Sequence, residues 1–248
     1  MFTSGDYPIA VPKRTLALTF DDGPGPNTPE LARFLRDLRV PATFFMVGRH
    51  VEKRPEAARS VRAMGHQIGN HSYSHEDLSA LAASPERIVD QVLRAHGLLQ
   101  GLQARGPLLF RAPYGRWPPG AAEVLNARPE LRRYAGPVGW DLEFADYEIG
   151  GPRGLVEGNP TYTLEECRER CLEGMVARGR GIVVLHDWAA DAGDLGERLR
   201  RNNRTLELVR WLVPRLGGFR FVSVADLLPS GRTDRRAPRG PGGRRSRA

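Results

Sequence analysis

Two neighbouring carboxylates near the start of the chain are the first sign of chemistry. Asp21 and Asp22 directly follow a strand-like apolar run at residues 15–20. Adjacent carboxylates repel each other, so a fold tolerates the pair best where a cation lies between or beside them. One carboxylate would then bind the cation, and the other would be available as a base.

A histidine pair about fifty residues later supplies further metal ligands. His71 and His75 are spaced i,i+4, which in a helix points both imidazoles to one side and is a metal-ligand spacing. Together with Asp22 they offer one oxygen and two nitrogens and leave positions for water and substrate. This set predicts a divalent metal site, Zn²⁺ above all, with Co²⁺, Ni²⁺, Mn²⁺ or iron as alternatives. Such a metal acidifies water and polarises a carbonyl.

Two more polar residues follow apolar strand-like runs. His186 comes after residues 182–185. A lone histidine there is more often a packed core residue than a catalyst, but a strand-end position would let it protonate a leaving group. Arg111 ends another such run and needs a carboxylate partner. The available partners are Asp21, Asp141 and Asp146.

The surrounding pattern predicts an α/β fold with a mainly parallel sheet, because strands alternate with helices. The predicted strands cover residues 15–20, 42–47, 66–70, 108–110, 134–140, 181–185 and 219–224. Thr28 is the predicted N-cap of the first helix. Thr163 and Glu166 form a predicted capping box at the start of a later helix. A further helix is predicted over residues 195–216.

The chemically competent residues fall at one place in this pattern. Each stands at or just past the carboxyl end of a predicted strand: Asp21 with Asp22, His71, Arg111, Asp141 and His186. An open sheet would gather such residues at a crevice, whereas a closed β/α barrel assembles its site along that whole edge. Five converging strand ends favour the barrel.

The order of these segments resembles the polysaccharide deacetylases with a NodB-homology domain, which form carbohydrate esterase family four. Four of the family's five motifs are matched closely, by Thr19-Phe20-Asp21-Asp22-Gly23, His71-Ser72-Tyr73-Ser74-His75, Arg111-Ala112-Pro113-Tyr114-Gly115 and Val184-Leu185-His186. The fourth motif, usually Asp-x-x-Asp-Trp, appears here as Glu143-Phe144-Ala145-Asp146-Tyr147. Tyr147 in place of Trp and Glu143 in place of Asp affect the shape of the substrate groove more than the chemistry.

The resemblance implies a role for each matched residue. It makes Asp21 the catalytic base and Arg111 the residue that orients it, and it makes His186 the catalytic acid, tuned by Asp146. It also implies an oxyanion-hole donor at the Tyr114 backbone N–H. The metal ligands it implies are Asp22, His71 and His75.

The resemblance also implies a fold and an activity. Most of residues 13–228 are covered, as a single domain with a distorted, incomplete (β/α) barrel of about seven strands. The implied activity is metal-dependent removal of N-acetyl groups from an N-acetylglucosamine-containing glycan, such as peptidoglycan, a chitin oligomer or an exopolysaccharide. The alternatives are an O-acetyl esterase on xylan, a hydrolase of a non-sugar amide, and a non-catalytic glycan-binding module. Intact base, ligands and acid argue against the last.

Charge is concentrated at the end of the chain. The net charge is +8, and residues 230–248 contribute seven arginines and one aspartate to it. Residues 229–248 are also rich in Gly and Pro, and this composition predicts a disordered tail. The alternative interpretation is a weak electrostatic contact between the arginines and a polyanion. Nucleic acid is therefore not expected as the main partner.

Compartment and cysteine chemistry are less defined by the sequence. No apolar run is long enough to cross a bilayer, and no secretory signal is visible. The sequence as given thus predicts a cytoplasmic protein, or a secreted or periplasmic one if its true start lies upstream.

Cys167 and Cys171 have too few neighbouring ligands for a structural zinc site. This favours free thiols and leaves a disulfide between them open.

Overall fold

The structure, a computed structural model, describes residues 1–103, 107–149, 163–189 and 203–228. Parallel strands alternate with helices through these ranges. The strands are β1 (Thr15–Asp21), β2 (Ala42–Met46), β3 (Gln67–Asn70), β4 (Leu108–Leu109), β5 (Tyr134–Ala135), β6 (Leu142–Glu143), β7 (Gly181–His186) and β8 (Arg220–Phe221). The helices are α1 (Thr28–Asp37), α2 (Gly48–Lys53), α3 (Pro55–Ala63), α4 (Pro85–Leu99), α5 (Ala121–Asn126), α6 (Leu164–Arg178) and α7 (Thr205–Leu212).

The strands form one main parallel sheet and one smaller parallel pair. The main sheet has the order β3-β2-β1-β7-β6, with β8 beside the start of β1. A backbone bridge between Asn70 and Phe110 connects β3 to the β4–β5 pair. Within the described residues no strand pairing joins β5 to β6. The predicted α/β class with a parallel, incomplete barrel is confirmed.

Strand β1 shows how the sequence builds this arrangement. Its side chains alternate between two buried faces, as expected for a central parallel strand. Leu16, Leu18 and Phe20 belong to the apolar cluster that includes residues of α1, α3, α6 and α7. Ala17 belongs to a second cluster, inside the curved wall of strands. Asp21 is at the end of this inward-facing row, so the same alternation that buries Ala17 carries a carboxylate inside.

Several predicted elements need correction at their boundaries. Helix α1 begins at Thr28, and its N-cap is Asn27 instead of Thr28. The Thr28 hydroxyl instead accepts the Gly25 N–H and donates to Asp187. Strand β6 was not predicted, and in the segment predicted at 134–140 the strand β5 covers Tyr134–Ala135, with a single further bridge from Gly136 to Phe2. Both strands are two residues long, too short to produce a recognisable alternation.

Other expectations agree with the structure or lie outside it. The Thr163–Glu166 capping box is present at the start of α6. Within the described residues the late helix begins at Thr205, and residues 195–202 are outside the described ranges, as is the tail at 229–248. Cys167 and Cys171 are buried free thiols with their sulfurs 3.9 Å apart. Among the helices described, none has the length and apolar character of a membrane span.

Candidate active site

The backbone separates the two adjacent carboxylates and gives them different partners. Asp21 ends β1 in extended conformation, whereas Asp22 adopts a φ of 73°, which turns the chain sharply. The His50 ring holds this turn, because its Nδ1 lies 2.7 Å from the Asp22 carbonyl oxygen and must donate to it. Burial lowers the pKa of His50 to about 4, so the ring is neutral. Sequence reasoning missed His50, which no motif singles out.

Asp21 is held by a buried arginine. Nη1 of Arg111 donates to Asp21 Oδ1 at 2.8 Å and to Thr19 Oγ1 at 2.7 Å. Its Nε and Nη2 donate to the carbonyl oxygens of Val138 and Gly139. Arg111 has 0% exposure, and burial lowers its pKa while Asp21 opposes that shift. Of the three carboxylates considered as partners for Arg111, the structure therefore selects Asp21.

Asp22 faces the two histidines. Its Oδ1 lies 3.1 Å from His75 Nε2 and 3.5 Å from His71 Nε2. One ligand atom from each of the three residues lies within 4.8 Å of the others. His71 Nδ1 is 2.8 Å from the Arg111 carbonyl oxygen and donates to it, which leaves Nε2, the nitrogen nearer Asp22, as the atom that can bind a metal. A carboxylate and two imidazole nitrogens are ligands that suit Zn²⁺, so these residues fit a metal site.

The electrostatics of this group keep the Asp22 ligand charged. Burial by itself would raise the pKa of Asp22. The neighbouring His75 and His71 rings, with His186 further away, outweigh burial and hold the pKa well below its usual range. A metal ligand must be a carboxylate and not a carboxylic acid, so this environment favours the form that binds.

A loop, not a helix, brings His71 and His75 together. The i,i+4 spacing predicted a helical turn, but Ser72 and His75 have φ values of 63° and 62°, in the left-handed region. Asn70 Oδ1 accepts the Ser72 N–H, and Ser72 Oγ accepts the His75 N–H. These short-range bonds to the Asn70 and Ser72 side chains fold the loop. The prediction of helical geometry was therefore wrong, although the two rings do meet.

His186 is paired with Asp146 at the neighbouring strand end. Asp21 and His186 are Cα partners in the parallel β1–β7 pairing, so both stand at the same edge. The Asp146 carboxylate lies 2.9 Å from His186 Nδ1 and also accepts the His186 backbone N–H and the Thr205 hydroxyl. Burial opposes a charged ring, yet Asp146 outweighs it and raises the pKa of His186 to about 10. The ring is therefore an imidazolium at neutral pH.

Tyr114 borders the metal-ligand group from another strand end. It lies in the tight turn at Pro113–Gly115, where its left-handed φ of 57° interrupts helical geometry. The centroids of its ring and of the His75 ring are 4.5 Å apart, although the residue is 49% exposed. On the other side, Tyr147 packs edge-on against His186 at 5.0 Å between centroids. These two tyrosines flank the buried polar groups.

Asp141 does not belong to this group. It was predicted to stand at a strand end beside the others, but it precedes β6. Its carboxylate accepts the Ile182 N–H at the start of β7 and pairs with Arg178 at 2.9 Å. The start of β7 is at the opposite edge of the sheet from His186, so Asp141 has a structural role there.

Three groups thus meet at the carboxyl edge of the parallel sheet: a buried carboxylate held by arginine, a histidine paired with an acid, and three residues that could bind a metal. Sequence comparison then gives the family. The sequence profile of the Polysaccharide deacetylase family matches residues 9–129. The chitooligosaccharide deacetylase of Azorhizobium caulinodans is 33% identical over 205 residues, which are 82% of this chain and 88% of that protein. This chain belongs to the polysaccharide deacetylase family.

Two further comparisons agree with this assignment. The peptidoglycan-N-acetylglucosamine deacetylase of Bacillus cereus is 29% identical over 219 residues, or 87% of this chain and 89% of that protein. The solved structure of the chitin deacetylase from the fungal pathogen Colletotrichum lindemuthianum has a TM-score of 0.66 at 26% identity and covers 92% of this chain and 91% of that one. The protein is therefore a hydrolase of the class that acts on carbon–nitrogen bonds other than peptide bonds.

Proposed function

We propose that this enzyme removes N-acetyl groups from an N-acetylglucosamine-containing glycan, such as peptidoglycan, a chitin oligomer or an exopolysaccharide. The observation that carries the proposal is the pairing of Asp21 with Arg111 at one strand end and of His186 with Asp146 at the next. The first pair supplies a proton acceptor and the second a proton donor. Hydrolysis of an amide needs both. Residues 13–228 would form the catalytic unit.

Asp22, His71 and His75 would hold the divalent metal. Their oxygen and nitrogen donors suit Zn²⁺, with Co²⁺, Ni²⁺ and Mn²⁺ as the alternatives. When bound, the metal supplies a Lewis acid that polarises the acetyl carbonyl and lowers the pKa of water. The hydrogen bond from His71 Nδ1 to the Arg111 carbonyl keeps one ligand ring in the orientation that binding needs.

Asp21 would act as the base. Arg111 donates to its Oδ1, which fixes the carboxylate, while Oδ2 lies 3.7 Å from His71 Nε2 on the metal-ligand side. The Oδ2 atom would take a proton from the water that attacks the acetyl carbon. Holding the carboxylate in a buried, fixed position avoids reorganisation when the proton moves.

The developing oxyanion would be stabilised at Tyr114. Its backbone turns through a φ of 57° directly beside His75, which places residue 114 next to the metal-ligand group. We assign the Tyr114 N–H as the donor to the acetyl oxygen once that oxygen becomes negative. The ring, half exposed, would then contact the sugar that carries the acetyl group.

His186 would act as the acid. Because Asp146 keeps it protonated, the imidazolium can donate its Nε2 proton to the departing nitrogen. An amine is a poor leaving group unless it is protonated as the C–N bond breaks, so an amide depends on this step more than an activated ester does. A strongly paired His–Asp couple thus favours N-deacetylation over the O-acetyl alternative.

A comparison of two substrates tests this assignment. We expect metal-loaded protein to release acetate together with free amine from N-acetylglucosamine oligomers, and to release acetate much more slowly from acetylated xylan. The two products of the first reaction are measured in parallel, acetate enzymatically and amine by fluorescent labelling. Faster release from xylan would favour the O-acetyl esterase instead.

A further inference from the structure

A single glutamine on α4 contacts the loop that carries the two histidine ligands. We call residues 71–75 the histidine loop. The Gln91 side-chain oxygen, Oε1, accepts the Ser74 N–H at 2.9 Å, the Tyr73 N–H at 3.2 Å and the Ser74 hydroxyl at 3.1 Å. Gln91 is 7% exposed, and its loop partners Tyr73 and Ser74 are half-buried. One amide oxygen thus fixes the middle of the loop.

The histidine loop needs such support because its backbone is strained. Ser72 and His75 both adopt left-handed conformations, which are unfavourable for residues that carry a Cβ atom. Two local bonds hold its two ends: the Ser72 N–H donates to Asn70 Oδ1, and the His75 N–H donates to Ser72 Oγ. Residues 73 and 74 between them receive their acceptor from outside the motif, from Gln91.

The orientation of the Gln91 amide is also fixed. Its Nε2 donates to Glu76 Oε2 at 3.2 Å, and Arg87 donates to the other oxygen of Glu76 at 2.9 Å. A carboxylate accepts only, so the NH₂ group must face Glu76 and the oxygen must face the loop. This contact sets which end of the amide meets the backbone N–H groups.

We propose that Gln91 is a positioning residue for the metal site, holding the histidine loop so that the His71 and His75 Nε2 atoms face Asp22. The inference rests on the metal centre of the proposed function. It adds to that centre a residue that lies in none of the five motifs. Outer contacts of this kind commonly change metal affinity by about 10- to 100-fold when removed.

Zinc affinity tests this role directly. The Zn²⁺ dissociation constant is measured by competition with a chromophoric chelator, at a temperature where circular dichroism shows each metal-free protein to be folded. Gln91→Met has a similar length but no acceptor, and we expect it to weaken binding by about 10- to 100-fold. The matched control is Gln100→Met, an exposed position at the end of the same helix, which should bind like wild type.

A double variant separates positioning from general packing. Gln91→Glu combined with Glu76→Gln keeps a side-chain oxygen at position 91 as acceptor for the loop. The hydrogen bond between the two side chains is also kept, but its donor is now the amide at position 76 and its acceptor the carboxylate at position 91. We expect it to restore zinc affinity close to the wild-type value. Wild-type affinity in Gln91→Met, or no recovery in the double variant, would overturn the inference.

Hydrogen exchange in the wild-type protein keeps the inference testable if Gln91→Met does not fold. The Tyr73 and Ser74 amides should be protected in metal-free protein, since both donate to Gln91. Exchange at the rate of an unprotected loop would also overturn the role of Gln91. Wild-type protein that binds no zinc while these amides are protected would instead contradict the metal centre, so the two failures are distinguishable.

Discussion

Asp21→Asn is expected to lower the rate of N-deacetylation by about 10²- to 10⁴-fold while leaving metal binding nearly unchanged. Asparagine has the same shape and keeps an oxygen for the Arg111 N–H at Oδ1. It cannot take a proton from water, however, and Asp21 is not one of the three metal ligands. The rate is measured as acetate release at saturating metal, and binding by zinc titration.

The neighbouring carboxylate provides the matched control. Asp22→Asn replaces a charged ligand with a neutral amide, so we expect weaker zinc binding as well as lower activity. The contrast follows from the different partners of the two carboxylates, one facing arginine and the other facing two histidines. If the two variants bind zinc alike, the division of roles between Asp21 and Asp22 is wrong.

His186→Ala should damage amide hydrolysis far more than ester hydrolysis. We expect a loss of about 10²- to 10⁴-fold on an N-acetylated glycan, because the departing nitrogen then has no proton donor. An activated acetyl ester, such as 4-nitrophenyl acetate, releases a stable anion that needs no proton. Its hydrolysis should therefore change little. Equal losses on both substrates would indicate that His186 has a packing or binding role.

The pH dependence of the rate checks the same residue through its partner. The pKa of His186 is raised to about 10, against the effect of burial, mainly by Asp146. A catalytic acid works only while protonated, so activity is lost as pH rises through this pKa. Asp146→Asn removes the charge that stabilises the imidazolium, which lowers the pKa and moves the basic limb of the pH–rate profile to lower pH. An unmoved basic limb would contradict this function of Asp146.

The positions of the proposed base and acid in the fold follow from short-range sequence signals. Asp21 and His186 each end an apolar run, and residues that end parallel strands meet at one edge. That rule alone is enough to place both residues at the same edge. It places Asp141 wrongly, because the two-residue strand β6 follows it and has too few residues to show alternation.

Short-range sequence signals do not predict the geometry of the histidine loop. An i,i+4 spacing predicts a helical turn, whereas Ser72 and His75 adopt left-handed conformations. Acceptor oxygens on Asn70 and Ser72 bend the loop locally. Its middle is held by Gln91, 17 positions from Ser74 along the chain, and only the tertiary structure reveals that contact. His50 is a similar case, since its contact with the Asp22 carbonyl joins residues 28 positions apart.

The most direct measurement compares wild-type protein with the double variant His71→Ala/His75→Ala on N-acetylglucosamine oligomers. Both proteins are stripped of metal, reloaded with Zn²⁺ and assayed for bound metal, acetate and free amine. We predict about one bound metal per wild-type chain, equal amounts of acetate and amine, loss of activity on chelation and recovery on reloading. The double variant should hold almost no metal and release almost no acetate. Undiminished acetate release by the double variant would contradict a metal-dependent deacetylase centred on Asp22, His71 and His75.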